Sequence, residues 1–333
     1  MDDPELLEPV RPGIFRIEIP VQGPLQNLNY YLFAGDCPLL LDVPPLFGPL
    51  VDALERAIRK AGVSRLERIV LTHAHVDHSG SAAEVSRRLG GRICAHVDEV
   101  WRLERDEEAA LREVQRMGRF AERCGFPPRR LQKTLESWRR WRVLTERCRV
   151  EEALVEGEVV EGGGRRLRVL HTPGHTFGHL CLYEERERIL FSGDHLIRSI
   201  TPNPDLLVGE DGSWRSGLPH FVSSLGKLED FDILVAYPGH GRPISRVARR
   251  IAFNLEHHRR RLREVLEGIP GRGSTPWELA AMLFPQVERE TATMDSWLAL
   301  REVMGHLEIL REEGLVELRE LRDSDGLILV TRK

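Results

Sequence analysis

The chain contains no run of 18 or more apolar residues, which excludes a membrane-spanning helix on length. Its first ten residues, MDDPELLEPV, lack the basic-then-apolar order of a secretory signal, so the protein is expected to be cytoplasmic. Cysteine is scarce. Cys37, Cys94, Cys124, Cys148 and Cys181 are odd in number, scattered and without C-x-x-C spacing, which argues against a disulfide framework or a thiolate zinc site. Lysine is nearly absent, with only Lys60, Lys133, Lys227 and Lys333 among the basic residues. A GC-rich genome accounts for that most simply, because arginine-for-lysine exchange is an unreliable sign of heat adaptation. Neither charge sign dominates: 48 basic against 52 acidic residues give a net charge of -4. Composition therefore makes no whole-chain case for a nucleic-acid partner, local patches aside. There are no internal repeats and no low-complexity tracts.

What is present fits a mixed α/β protein. The 333 residues suffice for one large domain and a small one. IFRIEIP, LNYYLFAG and PLLLDV read as strands, residues 47–61 as a helix, and RIVLT as a buried strand running into His73. A helix is expected from Ser79 to Leu89, followed by a short strand, RICAHV. Between 98 and 150 the texture turns helical. Leu103, Leu111, Val114, Met117, Phe120 and Cys124 recur at intervals compatible with one helix face. Pro127 and Pro128 break the pattern, and Leu131, Leu135, Trp138 and Trp141 form a second stripe. This reads as a helical hairpin inserted into the main domain, either as core or as a lid. Strand texture returns from 150 to 192, and a long helix is expected over roughly 244–267. GIPGRGS reads as a linker. Beyond it, Thr275-Pro276-Trp277-Glu278 has capping-box spacing, a second helix ends at Gly314, and two strands flank an Asp325-Gly326 turn. The division expected is a catalytic domain over 1–268, with 98–150 as its insertion, and a small winged-helix-like domain over 269–333.

The chemistry concentrates in THAHVDHSG at 72–80. His73, His75, Asp77 and His78 lie within six positions just after an apolar strand, and imidazole and carboxylate are good zinc ligands. A regular strand would alternate such side chains, whereas a loop leaving it can turn them into one cavity. TPGHTFGH adds His171, His175 and His179, FSGDH adds Asp194 and His195, and YPGHGRP adds His240. Each of these segments has a Gly- or Pro-bearing turn after an apolar run, where glycine lets the backbone turn sharply.

The series THAHVDH, TPGHT, SGD and PGHG, over residues 12–250, resembles the metallo-β-lactamase superfamily. That resemblance implies a four-layer αββα sandwich with the site at one edge between two sheets. It implies that His73, His75 and His175 hold one metal, Asp77, His78 and His240 the other, and that Asp194 bridges them. Two divalent ions, zinc or alternatively manganese or iron, would then activate a bridging hydroxide for hydrolysis. Asp77 is the expected catalytic carboxylate, orienting the nucleophile or moving its proton. Histidine at 75, where the redox-active diiron branch carries glutamate, favours hydrolysis. His179 is expected to support the ligands, and His195 to do the same or to face substrate. His96 and His171 are expected to be structural, and His257-His258 to face solvent.

The bond attacked stays open at this stage. A small thioester or ester is one substrate class, since glyoxalase-II-like hydrolases share TPGHT and PGHG. Phosphodiester or RNA cleavage of the lactamase-β-like type is the alternative. For it, residues 115–149 carry eleven basic and three acidic residues with Trp138 and Trp141 interleaved, and residues 248–263 are also basic. A non-catalytic ligand- or protein-binding module is the third reading. β-Lactam hydrolysis is disfavoured, because the Asp77-His78 pair differs from the usual second site of those enzymes. The expected partner is a small molecule, with RNA and self-association as further candidates, and no membrane.

Overall fold

A computed structural model describes residues 6–21, 27–289, 293–321 and 326–333. By internal packing the chain divides into two units. The first comprises residues 1–105, 141–202 and 226–251; the second comprises 106–140, 203–225 and 252–333.

The first unit is built on two sheets. One has seven strands in chain order: β1 (Leu7–Arg11), β2 (Ile14–Pro20), β3 (Asn27–Phe33), β4 (Leu39–Leu41), β5 (Leu66–Leu71), β6 (Gly90–His96) and β7 (Glu152–Leu154). It is antiparallel from β1 to β4 and parallel from β4 to β7. The parallel half needs crossovers, and helices supply them. Helix α1 (Gly48–Lys60) links β4 to β5, and the short α2 (Val76–Ser79) with α3 (Ala82–Leu89) links β5 to β6. Val51, Leu54, Ala57 and Ile58 form the buried stripe of α1, and Arg59 and Lys60 lie in its last turn, where the helix dipole favours cations. The other sheet begins as a meander of β8 (Val159–Gly162), β9 (Arg165–His171), β10 (Leu180–Glu184) and β11 (Ile189–Gly193). The chain then forms a hairpin belonging to the second unit, β12 (Leu206–Val208) with β13 (Trp214–Ser216). It returns as β14 (Val235–Pro238) to pair parallel with β11.

Strands buried on both faces read as unbroken apolar runs, and LLL at β4 and VAYP at β14 follow that rule. Tyr31, Phe33, Leu41 and Val70 of the first sheet pack with Leu167, Leu182, Ile189 and Phe191 of the second in one apolar cluster. The opposite face of the first sheet packs with α1 and α3 through Ile17, Leu32, Leu54, Ile58, Ile69 and Val85. The mixed α/β class with paired sheets is as expected.

Besides that hairpin, the second unit holds α5 (Glu107–Arg123), most of α6 (Pro128–Arg142), α7 (Leu218–Leu228), the body of α8 (Val247–Gly268), α9 (Pro276–Leu283), α10 (Thr293–Glu312), and β15 (Val316–Leu321) paired with β16 (Leu327–Arg332). Its core joins Phe120, Phe126 and Leu131 of the helical hairpin to Trp277, Trp297, Leu300 and Val316. Packing thus groups the 106–140 hairpin with the C-terminal residues, whereas the chain-order reading puts a boundary at 268. One helix face differs from expectation as well. Leu103 lies in a separate short helix, α4 (Val100–Glu104), the Asp106 side chain caps α5, and Leu111 is 37% exposed. The Asp325 half of the expected turn lies outside the described residues.

Candidate metal centre

The carboxyl ends of β4, β5, β9, β11 and β14 carry Asp42, Thr72-His73, Thr172, Asp194 and the His240 turn, and the side chains from these ends meet. Open α/β sheets place ligand sites at carboxyl ends of strands. Here the registers of two sheets bring several such ends to one group.

The imidazoles are aimed by what holds their other nitrogen. His240 Nδ1 donates to the Asn27 carbonyl at 2.9 Å, so Nε2 carries the lone pair. His78 Nδ1 lies 2.8 Å from Asp42 Oδ2, which accepts its proton. His73 Nδ1 lies 3.0 Å from Thr72 Oγ1, and that hydroxyl in turn donates to Asp42 Oδ2 at 2.8 Å. The inward atoms then crowd together. His73 Nε2 and His175 Nε2 are each 2.9 Å from His75 Nδ1, and His78 Nε2 is 3.2 Å from His240 Nε2. Asp194 Oδ1 is 3.5 Å from His78 Nε2, and its Oδ2 is 3.5 Å from His175 Nε2 and 3.3 Å from His240 Nε2. Asp77 Oδ2 is 3.4 Å from His240 Nε2.

Three overlapping groups therefore each fit one ion: His73, His75 and His175; His73, His78 and Asp194; and Asp77, His78 and His240. Two features test the fit. Lone pairs of His78 and His240, both with Nδ1 protons engaged outward, face each other and need a cation between them. Asp194 Oδ1 is buried with no hydrogen-bond partner, a costly state for a carboxylate oxygen unless a cation serves it. The local field agrees. Burial would lower the His240 pKa, yet Asp194 and Asp77 raise it to about 11. The same opposition of burial by Asp194 and Asp42 raises His78 to about 9. A pocket that attracts a proton this strongly attracts divalent cations as well. The nitrogen and oxygen donor set suits zinc, manganese or iron.

The supporting residues include two that sequence reasoning missed. Asp42, at φ 61, accepts the Thr72 N–H at 2.7 Å with Oδ1 while Oδ2 serves Thr72 Oγ1 and His78. A left-handed, non-glycine residue is a strained conformation often found at functional sites. The available signal was a carboxylate at the end of the apolar run LLLD. Glu99 is buried, and its two oxygens accept Ala74 N–H at 2.9 Å and Gly178 N–H at 2.8 Å. It thereby clips the loop of His73 and His75 to the loop of His175. Nothing in DEVW around it signalled that role.

His179 lies beside the group with both nitrogens turned elsewhere. Nδ1 meets Thr172 Oγ1 at 2.9 Å, and Nε2 accepts the Asp194 N–H at 3.1 Å, so it positions Asp194. His195 is fully buried with its ring 5.9 Å from that of His179. His171 stacks on His96 at 3.8 Å and is not part of the group. Glycines make room: a Cβ on Gly239 would stand 2.5 Å from His78 Cε1 and 2.8 Å from Asp194 Oδ1.

Residues 29–240 match the sequence profile of the Metallo-beta-lactamase superfamily. The probable metallo-hydrolase YqjP of Bacillus subtilis (strain 168) is 26% identical over 311 residues, 91% of this chain and 93% of that protein. A crystal structure of a metallo-beta-lactamase family protein from Thermus thermophilus superposes with a TM-score of 0.81 at 31% identity, covering 98% of this chain and 100% of that one. More distantly, an atrochrysone carboxyl ACP thioesterase of Claviceps purpurea (strain 20.1) is 23% identical over 269 residues, 79% of this chain and 68% of that protein. Sequence profile, full-length structural likeness and converging donors agree, and the chain belongs to the metallo-beta-lactamase superfamily as one of its metal-dependent hydrolases.

Proposed function

We propose that this protein hydrolyses a thioester or ester of an apolar acyl group. His73, His75 and His175 would hold one divalent ion, Asp77, His78 and His240 a second, and Asp194 would lie between both, with zinc the first choice by donor type. Ions held there would lower the pKa of water and polarise a carbonyl. The protein's own part is orientation. Asp42, Thr72 and the Asn27 carbonyl fix the ring tautomers, and Glu99 and His179 hold the ligand loops. The greater side-chain exposure of Asp77, 22% against 9% for Asp194, supports Asp77 as the carboxylate that would contact substrate or move a proton.

The observation that supports the acyl reading is three exposed apolar residues on the two backbone segments that approach the turn carrying His78. Gly80, two residues after His78, has its Cα side against Pro45 and the Leu144 carbonyl, and Leu46 N–H donates to Leu144 O at 2.7 Å. The flanking Phe47, Trp141 and Val143 are 52%, 48% and 75% exposed. Exposed apolar side chains on segments next to a site are candidate contacts for an apolar ligand. The thioesterase relative supports this substrate class. The arginines that suggested RNA are partly committed elsewhere: Arg116 donates to Val208 O, Arg123 to Gly212 O and Glu320, and Arg130 to Arg289 O.

The test is a substrate panel of acyl thioesters, esters, lactones and a bis-aryl phosphodiester, run on metal-loaded wild type, Asp77→Ala and Val143→Ser. Acyl thioesters should turn over best, Asp77→Ala should lose about 100-fold or more in kcat/KM, and Val143→Ser should raise KM chiefly for long acyl chains. Phosphodiester or RNA turnover without acyl turnover would replace this reading with the nuclease one.

A further inference from the structure

Among the described residues, two groups of potential ligands lie outside the candidate metal centre. In the first, His96 and His171 stack at 3.8 Å with ring planes 13° apart beside Asp98. In-plane lone pairs of parallel rings cannot converge on one ion, so that group is not a metal site.

The second group differs in that respect. His257 and His258 are consecutive on α8, and Glu302 is on α10, all in the second unit. One donor atom from each lies within 4.8 Å of the other two. The two rings are 5.1 Å apart and nearly perpendicular, at 84°. His257 Nε2 is 3.7 Å from Glu302 Oε1, while Arg260 Nη2 approaches the opposite nitrogen at 3.5 Å. The expectation that the histidine pair faces solvent fails here: His258 is 1% exposed, and only His257 reaches the surface.

Tautomers sharpen the case. His306 Nδ1 donates to the Glu302 carbonyl at 2.7 Å, so its Nε2 is an acceptor. His258 Nδ1, 3.3 Å from that acceptor, is therefore the donor. This leaves His258 Nε2 as a lone pair, and it is buried with no hydrogen-bond partner. Buried acceptors are rarely left so, and an unfilled one calls for an unseen ion or water.

We propose that His257, His258 and Glu302 bind a third divalent ion, a first-row transition metal such as zinc, in a mononuclear site that ties α8 to α10. Two imidazoles and a carboxylate are a sufficient protein ligand set, with water completing the shell. Because the ligands come from residues 257–258 and 302, binding closes a long stretch of chain, and such binding adds to folding stability. Entry is from the His257 side, the one ligand open to solvent.

The test counts metal. Intact protein is stripped with a chelator, reloaded with zinc, dialysed and analysed for zinc per chain. His257→Gln and, separately, Glu302→Gln should each bind one equivalent fewer than wild type, whatever the wild-type total. This keeps the outcome separate from that of the hydrolase reading. On the wild type itself, diethylpyrocarbonate should label His257 in stripped protein, and zinc should protect it, as mapped by mass spectrometry. Equal zinc content in wild type and both variants, or unchanged labelling of His257 with zinc, would overturn the proposal.

Discussion

Asp42 concentrates three hydrogen bonds in one buried carboxylate, and each of them aims something at the metal centre. Its Oδ1 anchors the Thr72 N–H that begins the ligand turn, and its Oδ2 takes the Thr72 hydroxyl and the His78 Nδ1 proton. Asp42→Asn keeps the shape but replaces one acceptor with a donor, so one of those protons must lose its partner. The expected result is a loss of roughly 10–100-fold in affinity for the ion nearest His78. A stability loss of about 1–3 kcal/mol should accompany it. Competition with a metal buffer and urea denaturation measure the two. This residue also shows what sequence can reveal. His73, His75, Asp77 and His78 were legible as candidates because four residues of metal-ligating type in six positions seldom have another use. His175, Asp194 and His240 became legible through family motifs. Asp42 and Glu99 were not, because each is a lone carboxylate whose hydrogen-bond partners lie 25 to 79 positions away. Only the folded sheet order identifies such partners.

At the scale of elements, local chemistry was the best guide. Thr275 Oγ1 accepts the Glu278 N–H at 3.1 Å, and Glu278 Oε2 accepts the Thr275 N–H at 2.9 Å, closing the capping box anticipated from TPWE. Thr275→Ala should lower stability by about 1 kcal/mol. It should leave the zinc content unchanged, as read from urea midpoints and metal analysis on the same preparation. IFRIEIP forms β2 as written, and α1 falls within the expected 47–61. The 98–150 stretch was harder. Its apolar spacing continued across Arg105-Asp106, where the chain stops one helix and caps the next, because periodicity alone does not register a short break that side-chain capping stabilises. Asp106, an N-cap residue type followed by two glutamates, was the overlooked sign.

The whole molecule obeys constraints that no local window contains. That the 106–140 hairpin shares a core with residues beyond 252 depends on contacts such as Trp138 with Trp297, distant in sequence yet with rings 4.9 Å apart. Cysteine chemistry is also set globally. Burial pushes the thiols of Cys94, Cys148 and Cys181 up to about 12 and raises Cys124 as well, whereas Cys37 is exposed. Thiolates are the reactive form, so a thiol reagent at pH 8 should titrate one cysteine quickly and the other four only after denaturation. One contribution to the pH dependence of stability comes from His96. Burial, aided by the neighbouring His171 and opposed by Asp98 and Glu156, pushes its pKa down to about 4. In the unfolded chain the same ring takes its proton at about 6.5. Between those values the unfolded state binds more protons. Stability therefore falls as pH drops from about 6.5 toward 4, and this contribution levels off below that. His96 Nδ1 also accepts the Asp98 N–H at 3.2 Å, a capping bond that asparagine can reproduce without titrating. His96→Asn should thus keep the cap and remove the proton. In metal-stripped protein, the drop in urea midpoint from pH 7 to pH 5 should be larger for wild type than for His96→Asn. Equal drops would place the acid sensitivity elsewhere, in the buried histidines of the metal centre.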